Sequence, residues 1–430
     1  MFIQIRRISQ KMTFYLGIDC GTSGMRGVVI NEDKCVVVTI PHYWDVTGNK
    51  ECIIWQTTLR KLLGEIPLEY RRNMGAIAIN GTSSTVLVCD TDGLPVQAPM
   101  MYNDAHAKAI LPELQKIAPV NHTVLSATSS LAKLIWMSQF PSFRDATYFS
   151  HQADWLGFLL HGQLGITDYH NALKLGYDVE NIQYPQWLKN ISIPIKLPQV
   201  VSPGTPIAKL RPEISLQYKF PHDCIVCAGT TDSIAAFLAS GANSPGEAVS
   251  SLGSTLVLKL LSSTRIEDVR YGIYSHRLGN LWLVGGASNT GGAVLNHFFS
   301  SEELANLSAQ IDPSQPSNLH YYPLLTPGDR FPINDPYFAP RMEPRPDSPV
   351  EFLHGILESI ARIEAQGYNL LQQLSAETLS CVYTAGGGST NNTWTRIRQN
   401  FLKVPVITAQ NTEAAYGSAL LAMKGAKQGL

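Results

Sequence analysis

Two carboxylates open the chemistry of this sequence: Asp19 in Asp19-Cys-Gly-Thr-Ser-Gly24, and Asp232 in Gly229-Thr-Thr-Asp-Ser233. Two further turns rich in glycine and hydroxyls, Leu252–Thr255 and Gly386–Asn391, share their composition. Glycine lets a backbone approach an anion closely, and successive N–H groups with Ser or Thr hydroxyls hold phosphate oxygens. A carboxylate at a strand end can hold Mg²⁺ through water, since that ion prefers oxygen ligands and keeps its hydration. Asp19 is therefore a candidate metal ligand, with Thr22 and the adjacent N–H groups gripping the β- and γ-phosphates of a nucleotide. Phosphoryl transfer also needs a base for the attacking hydroxyl. Asp232, heading a helix expected in the opposite lobe, is the candidate base. The plainer readings are ordinary tight turns and, for Asp232, a helix cap.

Other nucleotide and nucleophile motifs are absent. The sequence holds no G-x-x-x-x-G-K-[ST] and no G-x-S-x-G, and Gly386-Gly-Gly388 lacks the G-x-G-x-x-G spacing.

The elements that must carry these turns alternate between strand and helix patterns, which indicates an α/β protein. Strands are predicted over Tyr15–Asp19, Arg26–Ile30 and Cys35–Ile40 as a hairpin entry, then over Met74–Ile79 and Val86–Cys89. Leu59–Leu63 suits a helix. In the second half, Cys224–Ala228 reads as a strand, Gly229–Ser233 as a turn and Ile234–Leu238 as the start of a helix. Strands Ala248–Leu252 and Thr255–Leu261 flank Gly253-Ser254, and Leu281–Val284 and Cys381–Tyr383 follow. Helical spacing of Phe352, Leu353, Ile356, Leu357, Ile360 and Ile363 predicts a long amphipathic helix, and an Ala-rich helix closes the chain from Glu413 to Lys424. The expected outcome is two α/β lobes facing one cleft.

Composition narrows the function. The 430 residues suit two to three domains with a large core. A formal net charge of −1 leaves no basic excess for a phosphate backbone, so nucleic acid is not an expected partner. No apolar run approaches the ~20 residues of a membrane span, and no membrane association is expected. Met1–Lys11 carries basic residues without a long apolar run, reading as a frayed arm or a start ahead of Met12 rather than a secretory signal. Seven cysteines without framework spacing imply reduced thiols and a cytoplasmic setting. Cys224-x-x-Cys227 reads as part of a buried strand, with no second pair to complete a zinc site.

The residues then reach a resemblance. Leu16-Gly-Ile-Asp-Cys-Gly-Thr-Ser-Gly-Met-Arg26 resembles the opening phosphate motif of the FGGY carbohydrate kinases, within the actin/hexokinase/heat-shock ATPase superfamily. Ser130-Leu-Ala-Lys-Leu-Ile-Trp136, Ala228-Gly-Thr-Thr-Asp232, Pro245-Gly246, Ser251-Leu-Gly-Ser254 and Gly328-Asp-Arg-Phe-Pro332 follow in the family's order. Ala385-Gly-Gly-Gly-Ser389, Val404-Pro405 and Glu413-Ala-Ala-Tyr-Gly417 resemble its adenosine motif and closing helix. The resemblance implies two ribonuclease-H-like, actin-like ATPase lobes around a central cleft. Residues 13–240 would form the N-terminal, sugar-side lobe, with helix 413–430 packing back on it. Residues 241–412 would form the C-terminal, nucleotide-side lobe, and residues 1–12 an extension. It further implies ATP and Mg²⁺ as cofactors and lobe closure during turnover. By the same resemblance Asp232 accepts the proton of the sugar hydroxyl, while Asp19 positions Mg²⁺ and touches substrate. Thr22, Ser23, Gly24 and Arg26 lie near the triphosphate, Ser254 on its other side, and Gly387, Gly388 and Asn391 hold the adenosine part. For Arg26 a solvated strand residue is the alternative, and Trp394 reads as core rather than an adenine wall.

Substrate choice rests on departures from the family pattern. Where xylulose kinases carry an S-G-Q-x-H-G-like turn, this sequence has Asn80-Gly-Thr-Ser-Ser-Thr85, and the W-x-D-x-R stretch appears as Tyr102-Asn-Asp-Ala-His106 without Arg. This compact form is similar to the cyanobacterial and plant-plastid branch, described as D-ribulose or D-xylulose kinases. The implied partner is a small ketose sugar. Ser83, Asp232 and Ser233, with Asp19, would line a pocket for a five-carbon ketose, D-ribulose first and D-xylulose second. The competing classes are a nucleotide-switched scaffold that hydrolyses ATP without a sugar acceptor, and a sensor with low turnover.

Overall fold

The computed structural model describes residues 12–44, 51–191, 195–375 and 377–430. The proposed arm over Met1–Lys11 lies outside the described residues. The chain forms two compact units, one holding the described residues up to Ala239 together with Glu413–Leu430, the other Ser240–Thr412.

The first unit is built on β1 (Phe14–Cys20), β2 (Gly24–Ile30), β3 (Val36–Tyr43) and β4 (Met74–Gly81). Two small ladders follow, β5 (Val86–Cys89) with β6 (Tyr148–His151) and β7 (Ile166–Asp168) with β8 (Gln199–Val201). Strands β9 (Pro206–Lys209) and β10 (Ile225–Thr231) complete the main sheet, whose order is β3-β2-β1-β4-β10-β9. Strands β3, β2 and β1 are antiparallel, while β4 and β10 run parallel to β1. The central strands are apolar on both faces because both are covered. Trp55, Leu59, Leu62 and Leu63 of helix Glu51–Glu65 are buried in one core. The closing helix Ala414–Gln428 packs with Tyr15, Ala76 and Ala78 in another. Gly17 is glycine because a Cβ there would collide with the carbonyl of Ala415 in that helix.

The second unit repeats the scheme with β11 (Glu247–Leu252), β12 (Leu256–Ser262), β13 (Tyr274–Leu278), β14 (Leu281–Ser288), β15 (Cys381–Ala385) and β16 (Val406–Thr408). Its order is β13-β14-β12-β11-β15-β16. Again an antiparallel run ends on the unit's first strand, and two parallel strands follow it. Helix Pro349–Ser375 buries the six apolar residues whose spacing predicted it. A wholly buried network crosses this core. Arg398 pairs with Glu364 at 2.6 and 2.7 Å and reaches Thr384 at 2.8 Å, and Ser250 donates to Glu364 at 2.5 Å. Leaving either charge there unpaired would be costly, so the network ties helices Pro349–Ser375 and Asn392–Leu402 to the sheet.

Two expectations need correction. The turn read over Gly229–Ser233 is absent: β10 continues to Thr231 and a helix, Asp232–Ala239, starts at once. Gly229 marks a close approach instead, since a Cβ there would meet the carbonyl of Ile79 on β4. Asp232 is also not in a lobe opposite Asp19. Strand β10 lies beside β4 in the sheet that contains β1, so both carboxylates belong to the first unit.

Candidate active site

Register brings the first constellation together. Asp19 on β1 is level with Asn80 on β4, which is level with Thr230 on β10, and one step further Cys20, Gly81 and Thr231 align. Three parallel strands therefore end side by side, and the carboxyl ends of parallel strands are where open α/β sheets bind ligands. Asp232 follows directly, as the first residue of its helix, and its Oδ1 accepts the Ser233 N–H at 2.8 Å.

Asp19 Oδ1 is buried and has no hydrogen-bond partner among the described residues. Burial pushes its carboxyl up to about 7, the nearby Asp232 charge pushes the same way, and Arg26 partly offsets both. Two carboxylates within electrostatic reach, one with an unused oxygen, form a site short of positive charge. Among the described residues no group of three or more His, Cys, Asp or Glu could enclose a metal. A lone carboxylate instead suits Mg²⁺, which keeps most of its water and takes its other ligands from substrate phosphates.

The phosphate turn lies at the β1–β2 connection. Gly21 N–H donates to Gly24 O at 2.9 Å, closing a tight turn whose tip, Thr22 and Ser23, is exposed. Trp44 fixes it from behind: its indole N–H donates to Thr22 O at 3.1 Å and its backbone N–H to Ser23 O at 3.0 Å. The two hydroxyls stand at the rim with their backbone carbonyls tied down. Gly24 is needed because the carbonyl of His42 on β3 occupies the space of a Cβ. Arg26, cross-strand from Asp19, is ion-paired with Glu413 and donates to the Tyr43 hydroxyl at 3.3 Å, so it is not a freely solvated residue.

Ser83 sits half-buried in the turn after β4, beside Ser84, whose φ of +65° is left-handed and whose buried hydroxyl is unpartnered among the described residues. This turn is anchored by Lys133, a fully buried lysine whose ammonium donates to Ser84 O at 2.8 Å and Met101 O at 2.7 Å. Burial lowers that ammonium to about 8. Ser233 is exposed on the first turn of the Asp232 helix. Sequence reasoning assigned no role to Lys133, although its motif was visible, nor to His170, whose Nδ1 lies 2.7 Å from Thr230 Oγ1. No local signal pointed to His170, because the contact spans 60 residues of chain.

The second unit holds the other predicted residues around one cavity of about 660 Å³. Ser254 and Gly253 form one wall, Gly387, Gly388 and Asn391 another, and Leu304, Ala305 and Ser308 a third. Gly387–Thr390 is a 3-10 turn rather than a simple loop, entered through Gly386 at φ +84°. Gly388 is constrained because a Cβ would sit 2.6 Å from the Trp394 ring. Asn391 is committed at both ends of its amide: Oδ1 accepts the Trp394 N–H at 2.9 Å and Nδ2 donates to Ser308 Oγ at 2.8 Å. It thus caps its helix and bridges two cavity walls. Trp394 is buried, with its indole N–H on Leu357 O at 3.0 Å, as the core reading expected. Asp329 of Gly328-Asp-Arg-Phe-Pro332 accepts from Ser288 and Tyr322 hydroxyls and from the Asn289 and Arg330 amides, a structural knot rather than a ligand site.

Comparison with known proteins agrees with this architecture. The model of the N-terminal domain of the FGGY family of carbohydrate kinases matches residues 14–239, and that of the C-terminal domain matches residues 248–426. A xylulose kinase of Staphylococcus xylosus is 21% identical, covering 96% of this chain and 91% of its own length. Glycerol kinase 2 of Saccharolobus solfataricus is 22% identical over 95% of this chain and 88% of its own. Among solved structures, xylulose kinase from Rhodospirillum rubrum superposes with a TM-score of 0.82 at 20% identity, over 96% of this chain and 90% of that one. Gluconate kinase from Lactobacillus acidophilus superposes at 0.81 and 18% identity, over 97% and 90%. Xylulose, glycerol and gluconate kinases at similar distances share the fold, so the fold alone does not choose the sugar. No described helix is long and apolar enough to cross a membrane. The chain belongs to the FGGY family of carbohydrate kinases and is a sugar kinase.

Proposed function

We propose that the protein phosphorylates a five-carbon ketose with ATP and Mg²⁺, with Asp232 as general base. The observation that carries this reading is the strand-end row of Asp19, Asn80 and Thr230, with Asp232 following directly. Asp232 takes the proton of the attacked hydroxyl as the phosphoryl group is transferred. Ser83, Ser233 and Asp19 surround the substrate, and Asp19 would hold Mg²⁺, which would supply neutralisation of triphosphate charge. Thr22, Ser23 and Gly24 contribute hydroxyls and backbone to the phosphates, and Arg26 keeps the Asp19 carboxyl from rising further. In the second unit Ser254, Gly387 and Gly388 line the nucleotide cavity, and Asn391 shapes its wall. A reducing, cytoplasmic setting belongs to the same reading, supported by seven unpaired cysteines.

D-ribulose is the first candidate substrate, on the hydroxyl-rich turn Asn80–Thr85, and D-xylulose the second, on the relatives named xylulose kinase. The test is a coupled assay with Mg-ATP across D-ribulose, D-xylulose, glycerol and gluconate. Ketopentose-dependent ADP release is expected. ADP release that ignores the sugar would favour a nucleotide-switched ATPase and end the kinase reading of this site.

The nucleotide side has its own check. Ala305→Trp, which fills the second-unit cavity, is expected to raise KM for ATP about tenfold or more, equivalent to at least ~1.4 kcal/mol of lost binding. KM for the ketose should move little, and initial-rate kinetics varying each substrate in turn separate the two.

A further inference from the structure

Lys174 is the feature of the first unit that the reading above leaves unused. It follows helix Tyr169–Leu173 and keeps helical geometry, with φ −82° and ψ −2°. That places it on the same helix face as His170, four residues earlier. His170 is bound to Thr230 on β10, two residues before Asp232. The backbone of Lys174 is fixed as well, since its carbonyl accepts the Leu131 N–H at 3.1 Å. Its side chain is half-buried, yet its ammonium has no hydrogen-bond partner among the described residues. Burial lowers its pKa, and the charge that acts against this is Asp232.

Lys133 provides the contrast. The two ammonium groups lie close enough that Lys174 lowers the pKa of Lys133. Lys133 spends its donors on backbone carbonyls of the Ser84 and Met101 segments, as a structural lysine does. Lys174 spends none. Its three donors are open to solvent or to a ligand, and an acceptor that displaced water there would gain a charge-assisted hydrogen bond. The nearest partner chemistry is Asp232, which follows directly on the strand that His170 holds through Thr230.

We propose that Lys174 contacts the substrate, its ammonium donating to a ketose oxygen beside the hydroxyl that Asp232 deprotonates. This rests on the pentulose-kinase reading and adds a specificity-determining residue to it. An oxygen-rich open-chain sugar supplies the acceptor; an analogue deoxygenated at that carbon leaves the ammonium unpaired and is rejected.

The test compares Lys174→Met and Lys174→Arg with the wild-type enzyme. Lys174→Met is expected to raise the ketose KM by about 10- to 100-fold, the scale of a lost hydrogen bond to a charged donor, with KM for ATP within twofold. Lys174→Arg should recover part of the loss. Calorimetric titration of ketose without nucleotide should show the same weakening, and the melting temperature of Lys174→Met should equal or exceed that of wild type. Unchanged ketose KM and affinity in a folded Lys174→Met overturns the assignment while leaving the kinase reading intact. A lower melting temperature with unchanged affinity makes the residue structural and likewise overturns it. If wild-type protein neither binds nor turns over any ketose, the pentulose reading itself fails.

Discussion

Asp232→Asn is expected to lower ketose-dependent turnover by ~10²-fold or more, the scale of losing a general base. The amide is nearly isosteric and can still accept the Ser233 N–H, so the start of the helix should survive. What it cannot do is take a proton from the attacked hydroxyl. Nucleotide affinity should change little, because the cavity that Gly387 and Gly388 line lies in the other unit. Steady-state kinetics with the favoured ketose, beside nucleotide titration of the same variant, measures both quantities. Near wild-type turnover would remove Asp232 from the role of base.

Asp19→Asn has two expected effects. The first is a comparable loss of Mg²⁺-dependent turnover, since the substitution removes the charge proposed to take up the metal. The second needs no substrate and follows from linkage. The Asp19 carboxyl ionises near 7 in the folded protein against an ordinary 3.8, raised by burial and then by Asp232. Between those values the folded state holds a proton that the unfolded chain has released, so stability contributed at this position falls as pH rises through that window. Asn has no proton to lose. The melting temperature of ligand-free Asp19→Asn should match wild type near pH 4 and exceed it by a few degrees at pH 8. A difference that is constant with pH would mean that Asp19 is ionised throughout and that its buried oxygen has a partner.

These two residues also mark how far the sequence could be read. Asp19 was legible because everything that positions it is local: β1, the turn at Gly21–Gly24 and β2 follow one another within 17 residues. The long helix Pro349–Ser375 was legible from its apolar period, which a partly buried helix must keep. Asp232 was recognised as a candidate base, and the limits 13–240 implied by the resemblance put it with Asp19, whereas the reading of its local elements put it in an opposite lobe. Nothing local in Ile225–Thr231 says that the strand inserts beside Met74–Gly81, because a parallel pairing is fixed by register across a long crossover. Gly229 misled for a related reason: glycine reads as a turn signal, whereas here it admits a neighbouring backbone. Lys174 gave no signal at all, since the charge that defines it is 58 residues away in sequence, at Asp232. Asn391 showed the reverse. Its motif pointed to nucleotide, but both ends of its amide are engaged within the protein.

The closing helix Ala414–Gln428 has a consequence for how the protein is made. Its backbone presses on Gly17, and Ser418 takes the Nδ2 of Asn80 at 2.8 Å, the buried amide in the middle of the strand-end row. These partners are synthesised hundreds of residues apart. A nascent chain leaving the ribosome therefore presents the first sheet with one face bare until the helix Ala414–Gln428 has followed it out. Whatever shields that face in the interval, a chaperone or a transient collapse of the chain, acts on the unit that starts before the other and is completed after it.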